Sequence, residues 1–538
     1  MLKKKILIIV SVLGFATIAL VLIFGFKQKP TYTVTFDANG GTEVYSVNVI
    51  EGNTIKEPSS EMFGYEVSYW SYNYKPWDFD KDTVKSNMKL VANWVPKNYK
   101  INYNLAGGRF AGSYPESYTI ESQIYLSIPI KNNNVFAGWF NDENKERIDR
   151  IVPGNTGDLT LSAVWVNNVV VESSDTSRGN VGLYAKDENA STLTAYNLPV
   201  NDKYHLFKGW YDANNKLLSE DNEYTFELVP NVQNYIRAKY MNDVEEYEWD
   251  LNHGVIPQKV SGNDNYTLFG MYPQSNVNDS VLIEKLELEK ETRFNSYRYY
   301  NHEYYARRRA SLARDANGEI LNIHNFDNGI EIIDDKYYWF KLEPIKWKII
   351  DNSNGESLLL CNNALDIRNF NDSSAEIIVD EDVIFPNDYS HSSIRSWLNN
   401  GFYNIAFKFN DSPLLVNYVD NSSLTTSDPE QTNNYENTED KVFLLSYKDY
   451  TNEQYGFSSS PSASNTRMVT ASDFARASRC SYGTETSSLY SAYLYTRSSE
   501  PSINNNYSVT KVNKYGLLNK TTVNDGQVSH QPAIRIVL

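Results

Sequence analysis

Three stretches of this chain repeat one pattern of aromatics and glycines at a period of about seventy residues, so much of the N-terminal half must be built from copies of one small unit rather than around one large core. The first copy opens with Tyr32-Thr-Val-Thr-Phe-Asp-Ala-Asn-Gly-Gly41, continues through Gly64-Tyr65 and Trp70, and closes on Val91-Ala-Asn-Trp94. The second runs from Tyr99 to Gly107-Gly108, through Phe136-Ala-Gly-Trp139, to Leu161-Ser-Ala-Val-Trp165. A worn third keeps Phe207-Lys-Gly-Trp210 and Ile236-Arg-Ala-Lys-Tyr240 but has lost the opening Gly-Gly. In the first copy, Thr31 to Phe36 reads as a strand stopped by a glycine turn, Val47 to Ile50 as its return, and Leu90 to Trp94 as the closing strand. A unit this small needs large anchors, so Trp70, Trp139 and Trp210 are read as core residues, in preference to a ligand-stacking stripe.

At these residues the chain resembles the Listeria-Bacteroides repeat family, the internalin B-repeat, marked by a Val-Thr-Phe-Asp-x-Asn-Gly-Gly strand and turn, a central Gly-Tyr-x-Phe-x-x-Trp and a final Leu-x-Ala-x-Trp. The first copy carries all three parts, the second differs before its glycines, and the third matches only in its second half. The resemblance implies a small β-grasp-like unit serving as an extracellular stalk or spacer, with no active site.

Lys3-Lys4-Lys5 precede an unbroken apolar run from Ile6 to Phe26. Twenty-one helical residues would span about 31 Å, enough for a hydrocarbon core. This predicts an uncleaved signal-anchor with its N-terminus cytoplasmic and residues 31–538 outside, with a cleaved signal peptide as the rival reading. No cysteine follows the run to mark a lipoprotein, and no C-terminal sorting signal is visible. The chain's net charge is −17, and the anchor region holds lysines but no acids, so the remainder is more acidic still. Bulk electrostatics therefore speak against nucleic acid as a partner. Cys361 and Cys480 are too few for a disulfide scaffold; one bridge is conceivable, but two separate buried thiols are the preferred reading.

Beyond residue 245 the repeat gives way to a different order. Tyr266 to Gln274 reads as a strand entering a turn. Lys346–Ile350 and Ser357–Leu360 read as a hairpin around a segment containing Asn354-Gly355. Ser392 or Ser393 is placed to cap a helix from Ile394 to Phe407 that Gly401 could split, with Ile394, Trp397, Leu398 and Ile405 on one face. Thr470-Ala-Ser-Asp473 reads as a cap before a short helix from Phe474 to Arg479, and strands are predicted at Val442–Ser446, Ala492–Arg497 and Ile534–Leu538. The polar tracts 371–381, 420–440 and 455–465 are long enough to be functional loops or disordered.

This half is similar to a bacterial domain family of unknown function found on surface proteins of low-GC Gram-positive organisms. The shared segments are Phe269–Gln274, Tyr338–Trp347, Ser392–Asn399 and Gln531–Arg535; the family's late Trp-Leu-Arg-Ser-Pro segment is altered around Tyr493–Ser498. By analogy of architecture the resemblance implies an α+β, C-type-lectin-like or formylglycine-generating-enzyme-like fold that binds ligands through loops.

No metalloprotease, nucleophile-elbow or phosphate-loop motif occurs, and the six histidines have no metal-ligand spacing. Glu500-Pro501-Ser502 is a faint match to a calcium-lectin Glu-Pro-Asn. Arg307-Arg-Arg309 beside paired tyrosines suits an anion site less well than a strand, and His391 suits a cap or surface position. No catalytic residue, metal ligand or cofactor is assigned, and binding residues are left open. The predicted order is a signal-anchor at 1–30, modules at 31–96, 97–167 and 168–242, a linker at 243–263 and the C-terminal α+β domain at 264–538. The expected function is a single-pass, membrane-anchored bacterial surface protein presenting a ligand-binding domain to a glycan, cell wall or host surface. The alternative is an extracellular enzyme with its active site in the C-terminal domain.

Overall fold

The computed structural model describes residues 29–229, 231–288, 297–314, 317–320, 325–379, 382–422, 435–503 and 506–537. Strand makes up 44% of the described residues and helix 13%. They form two compact units. One comprises the residues up to Val169 with Leu183–Thr194 and Thr225–Asn234; the other comprises Val170–Gly182, Ala195–Tyr224 and the residues from Tyr235 onward.

In the first unit, the strands Thr31–Asp37, Val47–Ile50, Tyr65–Tyr72, Lys75–Pro76 and Met88–Pro96 form one mixed sheet. The closing strand lies at its centre, parallel to the opening strand (Val34 beside Met88) and antiparallel to the strand that carries Trp70. The second copy repeats this plan, with Leu159–Val166 parallel to Tyr99–Asn104 and antiparallel to Val135–Asn141. Trp70 and Trp139 are buried at 0% and 2% exposure, each within its own apolar cluster.

The closing tryptophans explain the paired glycines. Trp94 Nε1 donates to the Ala38 carbonyl at 2.9 Å and Trp165 Nε1 to the Leu105 carbonyl at 3.0 Å, which lays each indole across its turn. A Cβ on Gly41 would sit 2.3 Å from Trp94, and one on Gly108 would sit 2.5 Å from Trp165. Gly40 and Gly107 take φ of +96° and +86°. One glycine of each pair thus turns the chain and the other makes room for the ring. In the third copy, a four-stranded sheet holds Trp210 at 0% exposure, and Tyr240 packs against Gly179 in place of a tryptophan.

The second unit is organised by an antiparallel sheet ordered Gln258–Val260, Asn263–Asn276, Tyr337–Ser353, Glu356–Cys361, Pro532–Ile536, Val442–Leu444, with Glu303–Arg309 paired to the near end of Tyr337–Ser353. A second sheet contains Leu494–Ile503, Asn506–Val512 and Leu518–Thr522. Both close over one large apolar cluster that includes Trp347, Leu359, Phe402, Leu444 and Ile534. The hairpin turns at Asn354 and Gly355, whose φ values of 57° and 79° suit the two-residue turn that the twist of paired strands prefers.

Several expectations are corrected. The fold class is mostly β, not α+β. The longest helix in the described part of 264–538 is Ser280–Leu288, and the others there have five residues or fewer. Neither copy of the repeat has the helix that packs across a β-grasp sheet; no helix occurs between 29 and 199. The anchor expected at 1–30 falls almost wholly outside the described residues, and among those described no helix is long and apolar enough to cross a membrane. The segment 243–263, expected as a linker, carries the helix Asp243–Asn252, opened by a reciprocal Asn242–Glu245 capping box and buried through Trp249. Tyr266 to Gln274 does not enter a turn. Gly270, at φ +72°, and Pro273 lie where the register of the strand Asn263–Asn276 slips, so they mark bulges within it.

Candidate functional site

One concavity in the second unit is built around Arg497. Ser446 caps the short helix Tyr447–Tyr450, its hydroxyl accepting from the Asp449 amide at 3.1 Å while its own amide donates to Asp449 Oδ2 at 2.8 Å. The same carboxylate oxygen accepts from Arg497 Nη1 at 2.8 Å. Arg497 also donates to the Leu444 carbonyl at 2.7 Å and, from Nε and Nη2, to the Asp420 carbonyl at 3.2 Å. One guanidinium therefore ties the second sheet to the end of Val442–Leu444 and to the segment after Asn417–Val419. Two adjoining open clefts of about 440 and 720 Å³ share Asp420, Asp449, Tyr455 and Arg497 in their walls. Tyr418, 73% exposed, stands on one side, and Lys448, Asn452 and Gln454 on the other.

The far wall depends on a second buried arginine. Arg467 is fully buried and donates to the carbonyls of Gly516, Tyr450, Ser458, Ser460 and Ser462, the first at 2.8 Å. A polar tract with little apolar content is thereby pinned by one side chain, which gives the loop after Tyr455 its shape.

Three titratable groups of the groove are held away from neutrality. Burial alone would raise the Asp449 pKa, but Arg497 and the bonds from Ser446 outweigh it and hold the carboxyl below its usual range. Asp420 is also lowered, chiefly by the Ser422 hydroxyl and amide. Burial raises the Tyr455 phenol. Both carboxylates are thus ionised at neutral pH, and none of these three groups is poised near neutrality as an acid or base.

The residues weighed from the sequence take structural places. Arg307, Arg308 and Arg309 lie on a strand and pair with Glu287, Asp366 and Asp335 respectively. Cys361 and Cys480 are free and buried, with burial pushing both thiols up to about 12. Cys480 Sγ lies 2.9 Å from Ser529 Oγ, whereas His530 occupies the next position on the same strand and so the opposite face; no thiol–imidazole pair forms there. Glu500 is buried and accepts from Thr510 Oγ1 at 2.8 Å, so it is not presented to a calcium ion. His391 is 46% exposed in its side chain and lies 3.0 Å from Asp388 Oδ2, next to the cap Ser392. Among the described residues no group of three His, Cys, Asp or Glu is placed to hold a metal. The groove itself was missed. Its signals were the polar tracts 420–440 and 455–465, which supply Asp420, Tyr455 and Ser459, and the Arg497-Ser498 pair in the altered late segment of the family resemblance.

Comparison with known proteins locates this groove in a recognised but functionally undefined domain. Residues 354–538 match the domain of unknown function DUF6273, and residues 32–93 and 99–164 match the Listeria-Bacteroides repeat domain. The lectin-like analogy finds no support there. Two proteins of Evansella cellulosilytica are similar. One, provisionally named a Gly-rich membrane protein, is 32% identical over 238 residues, covering 43% of this chain and 26% of that protein. The other, provisionally named a membrane protein, is 27% identical over 262 residues, covering 44% of this chain and 39% of its own length. The chain thus matches well under half the length of either relative. No solved structure matches it.

Proposed function

We propose that this is a membrane- or surface-associated bacterial protein in which the Listeria-Bacteroides repeats act as spacers and the DUF6273 domain binds an extracellular, hydroxyl-rich polymer in the groove beside Arg497. Surface association rests on the two matched repeats and on the naming of the Evansella relatives as membrane proteins. Binding rests on one observation above the others: the clefts are open and polar, with an exposed Tyr418 above carboxylates that are already ionised. An aromatic face beside amides and fixed charges suits sugar rings or the peptide–glycan mesh of a wall better than it suits an apolar ligand. Pull-down of the full chain on purified cell-wall sacculi and glycan arrays tests this. Tyr418→Ala should reduce retention about tenfold without moving the melting temperature. Retention unchanged in that variant, or none by the parent chain, would remove the groove from consideration. The enzyme alternative has no comparable support: Asp420 and Asp449 are held ionised and burial raises the Tyr455 phenol, so these three groups favour contact over proton transfer.

A further inference from the structure

A second cleft in the same unit, sharing no residue with the Arg497 groove, has the chemistry of a carboxylate clamp. It measures about 450 Å³ and lies between Ser311–Arg314, Arg479 and the turn 522–527. Arg479 adopts φ +64°, a left-handed conformation that costs a non-glycine residue energy and recurs where a side chain must be aimed. The position is held by its amide, which donates to the Ser311 carbonyl at 2.5 Å, and by Nε, which donates to Ser311 Oγ at 3.1 Å. Both Nη groups are left without a protein acceptor among the described residues, although the other guanidinium of the cleft, Arg314, is spent on Asp334 and the Gly318 carbonyl.

The charge balance singles out the same group. Asp334 offsets Arg314, and Asp525, the acid among the described residues of the lining, is offset by Lys511 at 3.4 Å and accepts from Thr521 Oγ1 at 2.7 Å. Among the described residues of the lining, Arg479 is then the cation without a carboxylate partner. Thr522, Asn524 and Gly526 share the cleft with it, and Leu312 is the large apolar residue among the described lining.

We propose that this cleft binds the carboxylate of an acidic sugar, the two Nη groups of Arg479 taking the carboxylate as a fork and Asn524 and Thr522 meeting ring hydroxyls. A peptide carboxyl would have the same anionic end but would leave its side chains without apolar contacts, so a uronic acid suits the lining better.

The test titrates the full chain with sodium glucuronate, glucose, inorganic phosphate and N-acetyl-dialanine, read by calorimetry. Glucuronate should bind saturably and more tightly than the other three. Arg479→Asn, which removes the fork but tolerates the left-handed backbone, should weaken it about tenfold or more, and Asn524→Ala about threefold. Arg309→Gln, which removes an exposed arginine outside the cleft, should change nothing. Unchanged affinity in both cleft variants overturns the assignment, as does glucose binding equal to glucuronate. Equal displacement by phosphate overturns the carboxylate preference, and equal binding of the acetylated dipeptide overturns the sugar.

Discussion

Gly41 and Trp94 lie 53 residues apart in sequence yet specify one another, because the indole occupies the space that any Cβ at the turn would need. Gly41→Ala and Gly108→Ala should each destabilise their own module by about 1–3 kcal/mol through overpacking. Gly112→Ala, where nothing lies within 4 Å, should be close to neutral in the same urea titration. Equal effects at all three sites would mean that the glycines serve turn flexibility alone. A second residue-scale prediction concerns His530, fully buried, with neither ring nitrogen hydrogen-bonded and with Trp397 4.6 Å away. Burial, reinforced by Arg368 and Arg308 and opposed by Asp366, lowers its pKa from 6.5 to about 4. Below 6.5 the unfolded chain takes up a proton that the folded one refuses. The stability contributed by neutral His530 is therefore complete above pH 6.5 and is lost as the pH falls toward 4, by roughly 3 kcal/mol. Urea midpoints of the second unit should drop between pH 7 and pH 4.5, and His530→Phe should flatten that part of the profile. An equal drop in the variant would assign the acid sensitivity to other groups, His205 among them, since burial lowers it too.

At the level of elements, local chemistry was legible wherever it acted locally. The Asn354-Gly355 turn fixed its hairpin, and Ser392 capped the predicted helix. That helix runs as Ser393–Trp397, a wider turn over Leu398–Phe402 that includes Gly401, and Tyr403–Ala406. What could not be read were pairings decided at long range. The parallel contact between the first and closing strands of the first two repeats joins residues more than fifty positions apart, and the strand Asn263–Asn276 keeps pairing through a glycine and a proline that locally signal a turn. The groove was illegible for the same reason, since Asp420, Asp449 and Arg497 meet only after three separate segments are assembled. The C-terminal strand was legible as buried only in part: it was expected over Ile534–Leu538, but it ends at Ile536, Val537 is 56% exposed and Leu538 lies outside the described residues. Pro532–Ile536 lies inside the main sheet between Glu356–Cys361 and Val442–Leu444, with Ile534 at 0% exposure and Arg535 directed to Asp351 and Glu356 at 3.8 and 4.0 Å. Ile534→Ala should cost about 2–5 kcal/mol, and deletion of residues 532–538 should abolish folding of the second unit. A cooperative melt at the original temperature after that deletion would show the strand to be peripheral.

Across the whole molecule, the division into two compact units with separate apolar clusters implies that stability is partitioned. Each repeat holds a small core around one tryptophan, whereas the cluster of the second unit draws on both sheets, so the repeats should be the weaker elements. Trp139→Ala should remove about 3–5 kcal/mol from a module whose total stability is of that order, and so unfold it under native conditions. Ile534→Ala should instead lower the transition of the second unit and leave the first two repeats unmoved, because Trp139 and Ile534 belong to separate apolar clusters with no shared partner and such sites behave additively. Differential scanning calorimetry of the parent chain, the two single variants and the double variant decides the matter. Trp139→Ala should erase one low-temperature component, Ile534→Ala should shift another, and the double variant should show both changes with no interaction term. A single transition that moves as one in every variant would mean that the repeats and the second unit fold as one cooperative body. The repeats would then be structural parts of that body, and the proposal that they are independent spacers would fail.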